Sequence, residues 1–351
     1  MFFSKELNLI DSLTTSDVEE YIRYFFPESR VISFKIIPEG YENILIKVKC
    51  ENAFYILRIS SMKKNHSMSS YSEKLIKREL DFIKYLQKNG VPVPTFYKSV
   101  ADGKTYVKTE SKSHVRFITL MNYIKGVHPE YTKDNLQEIA NKQVIFHNIS
   151  IQFQTDYIEN DEEYSAMSHR MISPSKLRTE QFPTRLYETM KEIYLDVRFE
   201  LERYYKNTNK QMIHSDIKRD NIFFNQGKLV AFIDFGDIRY SVIAEDLGCF
   251  IWDLCDRVYD ENGDFAHLVK KYLDDYQKYN QNFKKEDQRM AINYAIDRYS
   301  IINLHYLVEN QGDNERLKYQ VNKASKQLEI VKQLLDLRDT QFPYEKKASS
   351  C

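Results

Sequence analysis

The chain has 351 residues, of which 42% are hydrophobic and 29% charged, a composition typical of a globular protein with room for two cores. Lys and Arg together number 51, as do Asp and Glu, and this zero net charge argues against a nucleic-acid-binding protein or a polybasic membrane anchor. No apolar run approaches the roughly 18–20 residues of a membrane-spanning helix, and the N-terminus lacks a signal-peptide pattern. Because the four cysteines are scattered without a C-x-x-C pair, we expect a reduced, cytoplasmic protein.

The first third of the chain predicts a small lobe rich in β-strands. The predicted elements are a helix at 14–26, strands at 31–37, 43–49 and 54–59, a helix at 73–88, and strands at 105–108 and 115–121. Short connections between successive strands indicate an antiparallel sheet. The segment 60–72, rich in Ser, Lys, Asn and Met, predicts a loop.

The pattern becomes mainly helical after a short connector. Helices are predicted at 133–153, 183–206, 265–282, 285–310 and 314–338, with a short buried hairpin near 212–237 as the exception. We therefore predict an α+β protein with a small N-terminal antiparallel β lobe and a larger, mainly helical C-terminal lobe. The predicted domains are an N-lobe at 1–121, a hinge connector at 122–126, a C-lobe at 127–340 and a disordered tail at 341–351.

Two polar clusters, each following a short apolar run, stand beyond the middle of the chain. In the first, His214 and Asp216 are two residues apart, and Asn221 lies five residues after Asp216. In the second, Asp234 stands between an apolar run and Gly236. The order is H-x-D-x-x-x-x-N followed by D-F-G, which in kinases are the loops of the catalytic base and the metal ligands.

Phosphoryl transfer requires in-line positioning and positive charge on the phosphates more than covalent help. We therefore predict that Asp216 is the base for a substrate hydroxyl and that Lys218 contacts the transferred γ-phosphate. Asn221 and Asp234 are predicted oxygen ligands of Mg²⁺, and His214 is expected to hydrogen bond within the loop. The alternative interpretation is that all of these are ordinary turn and capping residues.

The β-rich lobe offers residues for a nucleotide. Arg58 ends a strand, and Glu79 follows 21 residues later on the apolar-faced helix. A strand cation paired with a helical Glu orients the α- and β-phosphates in kinases, although either residue alone would suit a solvent-exposed surface. In the connector, the backbone of Asn122 and Ile124 is predicted to meet adenine. Because G-x-G-x-x-G and G-x-x-x-x-G-K-[ST] are both absent, neither a Rossmann nor a P-loop site is supported.

An acidic segment follows the second motif. Residues 245–264 contain seven acids against one arginine, and Asp253 and Asp256 share a helical face by their spacing. Together with Asp237, they are candidates for binding a cationic substrate. The alternative for this segment is a solvated helix face.

Taken together, these residues resemble the aminoglycoside phosphotransferase-like kinases, a superfamily that also contains choline kinases, type II homoserine kinases and macrolide kinases. The matching segments are 40–43, 55–58, Glu79, 91–94, 122–126, 214–221, 233–237 and 244–247. The chain departs from the family pattern at Ser215, where the family usually has Gly, and at 218–220, where it usually has His-Pro-Gly.

The resemblance implies a bilobal, protein-kinase-like fold that uses ATP, with GTP as an alternative, and Mg²⁺. It adds Gly40, Asn43 and Ile233 to Arg58 and Glu79 as predicted nucleotide-binding residues. The implied phosphate acceptor is a hydroxyl of a small molecule, either an antibiotic such as an aminoglycoside or a metabolite such as homoserine or choline. A monomer and a homodimer are both open.

Two other functions fit parts of the pattern. A Ser/Thr protein kinase needs a long activation segment that ends in A-P-E, but Gly236 is only eight residues before Ala244 and no A-P-E follows. A non-catalytic nucleotide-binding protein would be expected to lack Asp216, Asn221 or Asp234, and all three are present. The motifs therefore favour a small-molecule kinase.

Overall fold

The computed structural model describes residues 13–37, 43–63, 73–110, 114–154, 164, 185–261, 263–310 and 312–343. The predicted nucleotide-binding Gly40, nearly all of the segment 155–182 and most of the predicted tail lie outside these ranges. The chain forms two compact units, which are called unit 1 (Met1–Gly126) and unit 2 (Val127–Cys351).

Unit 1 is built on a five-stranded antiparallel sheet of order β1-β2-β3-β5-β4. The strands are β1 (Val31–Ile37), β2 (Asn43–Cys50), β3 (Phe54–Lys63), β4 (Val107–Glu110) and β5 (His114–Asn122), and the helices are α1 (Thr15–Arg23) and α2 (Glu73–Lys88). Alternate residues of β2 are buried, as expected for a strand with one face on a core. The residues of β3 beyond Ser60 continue to pair with β5, so the predicted loop at 60–72 begins later than expected.

Helix α2 has the amphipathic pattern that the sequence predicts. Ile76, Leu80 and Ile83 are buried on one face, and the charged Glu79 is buried with them. The helix ends before Gly90, whose φ of 82° is the left-handed conformation common after helix C-termini. Since α2 must bury Glu79, the fold has to supply a partner for that carboxylate.

Unit 2 is mainly helical. Its helices are α3 (Lys133–Ser150), α4 (Arg185–Asn207), α5 (Ile243–Asp260), α6 (Phe265–Tyr279), α7 (Lys285–Glu309) and α8 (Asn314–Gln341), and its strands are β6 (Gln211–Ile213), β7 (Ile222–Asn225), β8 (Lys228–Phe232) and β9 (Arg239–Ser241). Helix α5 contains most of the acidic segment, and β9 was not predicted. The α+β fold class predicted from the sequence is confirmed.

The predicted buried hairpin is one part of a larger strand arrangement. Strands β7 and β8 form a hairpin that turns at Gln226 and Gly227, whose φ angles of 51° and 72° suit a type I′ turn. Strand β6 pairs instead with β9. At the start of unit 2, Val127 exchanges two backbone hydrogen bonds of 2.9 and 2.8 Å with Phe224 of β7.

Helices α5 and α7 approach each other closely at Gly248. A Cβ atom at this position would lie 2.4 Å from the Cβ of Tyr294 and 2.8 Å from the carbonyl oxygen of Ala291. Only glycine therefore allows the two backbones this separation. In the described part of the chain, no helix is long and apolar enough to cross a membrane.

Candidate active site

The carboxylate of Asp216 lies in a buried group of charged and polar side chains in unit 2. Its Oδ2 accepts hydrogen bonds from the ammonium group of Lys218 at 2.6 Å and from Nδ2 of Asn221 at 3.0 Å. Its Oδ1 accepts hydrogen bonds from the guanidinium group of Arg298 at 3.0 Å and, more weakly, from the thiol of Cys249 at 3.8 Å. Asp216 is only 7% exposed, so these contacts replace most of the water that would otherwise solvate its charge.

Two cations determine the charge state of Asp216. Burial raises the pKa of Asp216, but the charges of Arg298 and Lys218 outweigh burial, so the pKa lies below its ordinary value. Burial lowers the pKa of Lys218, and the attraction of Asp216 reverses this effect and raises it. Both groups are therefore ionised at neutral pH, and Asp216 is an acceptor of hydrogen bonds.

Asp246, at the start of α5, fixes the backbone just before Asp216. It accepts hydrogen bonds from the backbone N–H of His214 at 2.9 Å and of Ser215 at 2.5 Å. The same carboxylate contacts Nε2 of His147 at 3.1 Å, and Nδ1 of His147 lies 2.6 Å from the Tyr276 hydroxyl. The loop therefore starts from a buried polar network, and sequence reasoning did not single out Asp246 as its centre.

His214 connects the two motif loops. Its Nδ1 accepts from the backbone N–H of Asp216 at 3.3 Å, and its Nε2 lies 2.9 Å from the carbonyl oxygen of Ile233. The ring proton must then be on Nε2, because Nδ1 is the acceptor. This arrangement matches the predicted hydrogen-bonding role of His214 within the loop.

Ser215 has the left-handed backbone conformation expected of glycine. Its φ is 69°, and it occupies the position where the resembling family usually has Gly. Its hydroxyl oxygen is buried and has no hydrogen-bond partner among the described residues. The departure from the family pattern therefore costs both backbone strain and an unsatisfied hydroxyl.

The two predicted metal ligands lie on the two motif loops of unit 2. Nδ2 of Asn221 donates to both the backbone carbonyl and the carboxylate of Asp216, which turns its Oδ1 to the opposite side of the planar amide. Asp234 is exposed, has a left-handed φ of 64°, and lies close enough to Lys218 to contribute to its raised pKa. Two such oxygen ligands suit Mg²⁺, which often takes one or two protein ligands together with phosphate oxygens and water.

No group of three or more His, Cys, Asp or Glu side chains placed to bind a metal occurs in the described ranges. Next to Asp234, Ile233 uses both backbone groups within the protein, since its N–H donates to the Asn221 carbonyl at 2.9 Å and its carbonyl faces His214. Any contact of Ile233 with a nucleotide would therefore come from its half-buried side chain.

Arg298 was not singled out by the sequence analysis. It lies on α7, 82 residues after Asp216, and its guanidinium carbon is 4.7 Å from the ring centre of Trp252 on α5. Burial lowers the pKa of Arg298, and its charged neighbours, including Asp216 and Asp237, more than reverse this effect. Asp237 therefore lies close to the group around Asp216.

The acidic residues of α5 mainly bind other parts of the protein. Asp253 is buried and accepts from the backbone N–H of Arg219 at 2.9 Å, from Nε of Arg257 at 3.0 Å and from the hydroxyl of Tyr131. Asp256 accepts from Nε2 of Gln327 at 2.9 Å. These contacts indicate a structural role for Asp253 rather than a solvated face, and the substrate-binding role of both residues stays a prediction.

In unit 1, Arg58 and Glu79 form a buried ion pair. Two nitrogens of the guanidinium group donate to the two oxygens of Glu79, at 2.6 and 3.0 Å, and Nε donates to the Thr119 hydroxyl at 3.3 Å. Both residues are less than 5% exposed. The pairing predicted from the sequence therefore occurs, although the role in nucleotide binding stays a prediction.

The other predicted nucleotide-binding residues of unit 1 lie at strand ends. Oδ1 of Asn43 accepts from the Ser60 hydroxyl at 2.5 Å. The backbone N–H of Asn122 donates to the Thr95 carbonyl at 3.1 Å and is thus already used. Ile124 follows in the connector and is half-buried.

The segment after the D-F-G motif is short. Gly236 lies in a single turn, β9 follows at Arg239, and α5 already begins at Ile243. This leaves no room for the activation segment of a protein kinase, so the fold and the motifs define a kinase of small molecules. The chain belongs to the phosphotransferase enzyme family, because the model of that family matches residues 33–281.

Solved structures share the fold at low sequence identity. An amicoumacin kinase in complex with AMP-PNP, Ca²⁺ and Ami is 15% identical, with a TM-score of 0.63, over 97% of this chain and 98% of that chain. A microcompartment-associated aminopropanol kinase is also 15% identical, with a TM-score of 0.65 over 93% and 98%. An ethanolamine kinase from Plasmodium vivax is 14% identical, with a TM-score of 0.57 over 86% and 84%. No curated protein matches the sequence. The predicted family and protein-kinase-like fold are confirmed.

Proposed function

We propose that the protein transfers the γ-phosphate of ATP to a hydroxyl group of a small molecule, with Asp216 as the base. The observation that carries this proposal is the arrangement around Asp216, where a buried, ionised carboxylate is hydrogen-bonded to the partly exposed ammonium group of Lys218 and to Asn221, a metal-ligand candidate. In the proposed step, the acceptor oxygen forms a bond to the γ-phosphorus while the bond to the β–γ bridging oxygen breaks. Asp216 takes the hydroxyl proton, and ADP leaves.

We assign Lys218 to the γ-phosphate. Its side chain is 29% exposed and joins Asp216 from only two residues away on a loop, so its ammonium group can leave the carboxylate when a phosphate offers a stronger partner. Departure of Lys218 frees Oδ2 of Asp216 for the acceptor hydroxyl. ATP binding would in this way prepare the base.

We assign Asn221 and Asp234 to a Mg²⁺ ion. When bound, the ion would neutralise charge on the phosphate oxygens. The amide nitrogen of Asn221 would keep its hydrogen bond to Asp216, as in this structure. Asn221 would in this way hold the carboxylate of Asp216 at a fixed distance from the amide oxygen that binds the ion.

Unit 1 has candidate nucleotide-binding residues of its own. The Arg58–Glu79 pair supports a role for the Arg58 guanidinium with the α- and β-phosphates, as strand cations have in kinases. Within the connector, Ile124 is the residue to test first for adenine binding, because the N–H of Asn122 already has a partner. Several solved structures of the same fold contain AMP-PNP, ADP or GDP, so GTP should be tested beside ATP.

The test is a phosphate-transfer assay with Mg-ATP and Mg-GTP against aminoglycosides, macrolides, amicoumacin, spectinomycin, choline, homoserine, ethanolamine, aminopropanol and a peptide. We expect transfer to a small hydroxyl compound, and about 10²–10⁴-fold lower kcat for Asp216→Asn with nucleotide binding retained. Asp274→Asn, an exposed aspartate paired with Lys270, is the matched control. Full activity of Asp216→Asn would show that the base is another group, and transfer only to the peptide would exclude a small-molecule acceptor.

A further inference from the structure

Arg298 is the one charged partner of Asp216 that the described residues supply from outside the two motif loops; the buried thiol of Cys249 on α5 also faces Oδ1, at 3.8 Å. The guanidinium of Arg298 donates to Oδ1, while Lys218 and Asn221, both within five residues of Asp216, share Oδ2. The two oxygens of the carboxylate are thus held from different directions. A carboxylate held at both oxygens cannot rotate about its own axis without losing a charge-assisted hydrogen bond.

The two cations differ in exposure and packing. The side chain of Arg298 is 13% exposed, against 29% for Lys218. Arg298 also lies within the long helix α7 and is packed against the ring of Trp252 at 4.7 Å, a distance that suits a cation–π contact. Its Nε is buried with no partner among the described residues.

We propose that Arg298 is a positioning residue that fixes the orientation of the Asp216 carboxylate, so that Oδ2 is the oxygen that receives the acceptor proton. This inference rests on the proposed function of Asp216. Arg298 itself does not contact the phosphate acceptor. It acts through Asp216, and Trp252 keeps the guanidinium in place from the side of α5.

The packing of α5 against α7 supports this role. Trp252 belongs to α5 and Arg298 to α7, and the two helices are in close contact at Gly248. The Tyr299 hydroxyl, next to Arg298 on α7, donates to the Trp252 carbonyl at 2.8 Å. The guanidinium group therefore extends from α7 and packs against α5, and the two helices are hydrogen-bonded to each other beside it.

The first test is a double-mutant cycle on turnover, with the acceptor found in the assay above or with water as the acceptor for Mg-ATP. Arg298→Met should lower kcat by about 10²-fold, the effect of a small misplacement of a catalytic group, and should leave the KM for ATP within about twofold. In an Asp216→Asn background, the same substitution should lower kcat no further, since a residue that acts only through Asp216 has nothing left to position. A further multiplied loss would overturn the proposal.

Arg298→Lys keeps the charge but not the planar fork, and we expect its kcat to lie between those of the wild type and Arg298→Met. Addition of guanidinium ion to Arg298→Ala should restore part of the lost turnover, which a purely structural defect would not allow. Arg316→Met, in an exposed pair with Asp313 on α8, is the matched control and should keep wild-type kcat. No difference between Lys and Met at position 298, with no rescue, would contradict a role through the carboxylate.

A second cycle, on urea unfolding without nucleotide or acceptor, separates this inference from the proposed function. The effects of Arg298→Met and Asp216→Asn on the unfolding equilibrium should be non-additive by about tenfold, because each removes the same buried ion pair. Emission of Trp252, the only tryptophan of the chain, should change in Arg298→Met and stay unchanged in Arg316→Met. Additive effects would show that the contact is absent in solution, whether or not the protein transfers phosphate.

Discussion

The buried Arg58–Glu79 pair of unit 1 and the buried Arg298–Asp216 pair of unit 2 differ in how the carboxylate oxygens are used. In unit 1, both oxygens of Glu79 bind the same guanidinium group, and Nε of Arg58 also donates to Thr119. In unit 2, the oxygens of Asp216 are divided between Arg298 on one side and Lys218 with Asn221 on the other. The carboxylate orients the cation in the first pair, and in the second the cations orient the carboxylate.

The difference indicates which partner of each pair has a chemical task. A two-membered bidentate pair loses most of its compensation when one member is removed, since each partner depends on the other. A carboxylate with several donors, here Lys218, Asn221, Arg298 and the weaker Cys249 thiol, keeps the others when one is removed. We therefore expect unit 1 to respond to substitution mainly in stability, and the group around Asp216 mainly in turnover.

The largest expected effect on stability comes from Glu79→Ala. Without the carboxylate, the guanidinium of Arg58 would stay buried without its counter-charge, and unit 1 should lose about 3–5 kcal/mol of unfolding free energy. Urea unfolding followed by circular dichroism would measure this loss. Arg298→Met should cost clearly less, because Asp216 keeps Lys218 and Asn221; equal losses would break the proposed contrast between the two pairs.

Gly248→Ala tests the framework of the second pair. The added Cβ would lie 2.4 Å from the Cβ of Tyr294, so α5 and α7 would have to separate, at a cost of about 1–3 kcal/mol. Because α5 carries Trp252 and α7 carries Arg298, we also expect a lower kcat. Thermal unfolding and turnover measured on the same sample, with wild type as the reference, would check both effects. Unchanged stability would mean that the helices can give way without loss.

Ser215→Gly should increase stability by roughly 0.5–1 kcal/mol. Glycine adopts the φ of 69° at this position without strain, and the substitution removes a buried hydroxyl that has no partner among the described residues. Turnover should stay close to that of the wild type, because the backbone N–H that bonds to Asp246 is retained. Urea unfolding measures the gain, and a loss of stability would indicate that the hydroxyl binds a group such as an ordered water molecule.

The smallest expected effect is that of Glu73→Gln on α2, the half-buried counterpart of Glu79 on the same helix. A hydrogen bond from Tyr106, with further help from Lys108 and Lys77, lowers the pKa of Glu73 to about 2. The pKa of Glu73 is lower in the folded state than its value of about 4.3 in the unfolded chain. The ionised carboxylate therefore stabilises the folded state at pH values above about 4.3, and this contribution is lost as the pH falls towards 2. Since the side chain is 35% exposed, solvent screening limits it to below about 1 kcal/mol. Melting temperatures at pH 7 and pH 3 should show a difference from wild type that shrinks at the lower pH.

Local sequence patterns located the parts of the site that lie close together along the chain. The sequence pattern shows a strand at Arg58 and a helical face with Glu79, although the strand continues to Lys63 instead of ending at Arg58. Their pairing is predicted by the kinase motif downstream, not by either residue alone. Asp216, Lys218 and Asn221 lie within six residues, so their contacts follow from one loop.

The long-range partners could not be predicted in the same way. Arg298 is 82 residues from Asp216, and nothing in its neighbourhood on α7 distinguishes it from the other charged residues of that helix. Asp253 looked like part of an acidic helix face, because spacing alone does not show that the Arg219 backbone meets it from a distant loop. Such pairs depend on how the helices pack, and packing is decided by the whole core rather than by the local pattern.

The backbone pairing of Val127 with Phe224 has a practical consequence for separate expression of unit 2. A fragment that begins at Val127 keeps the backbone hydrogen bonds between Val127 and β7. It also keeps the carbonyl oxygen of Pro129, which accepts from Nε of Arg219 at 2.8 Å. A fragment trimmed to begin at Tyr131 would lose both anchors and leave an open edge beside Asn221. The choice of a few residues at one terminus would thus decide whether an isolated unit 2 keeps the loop of Asn221, a predicted metal ligand, in shape.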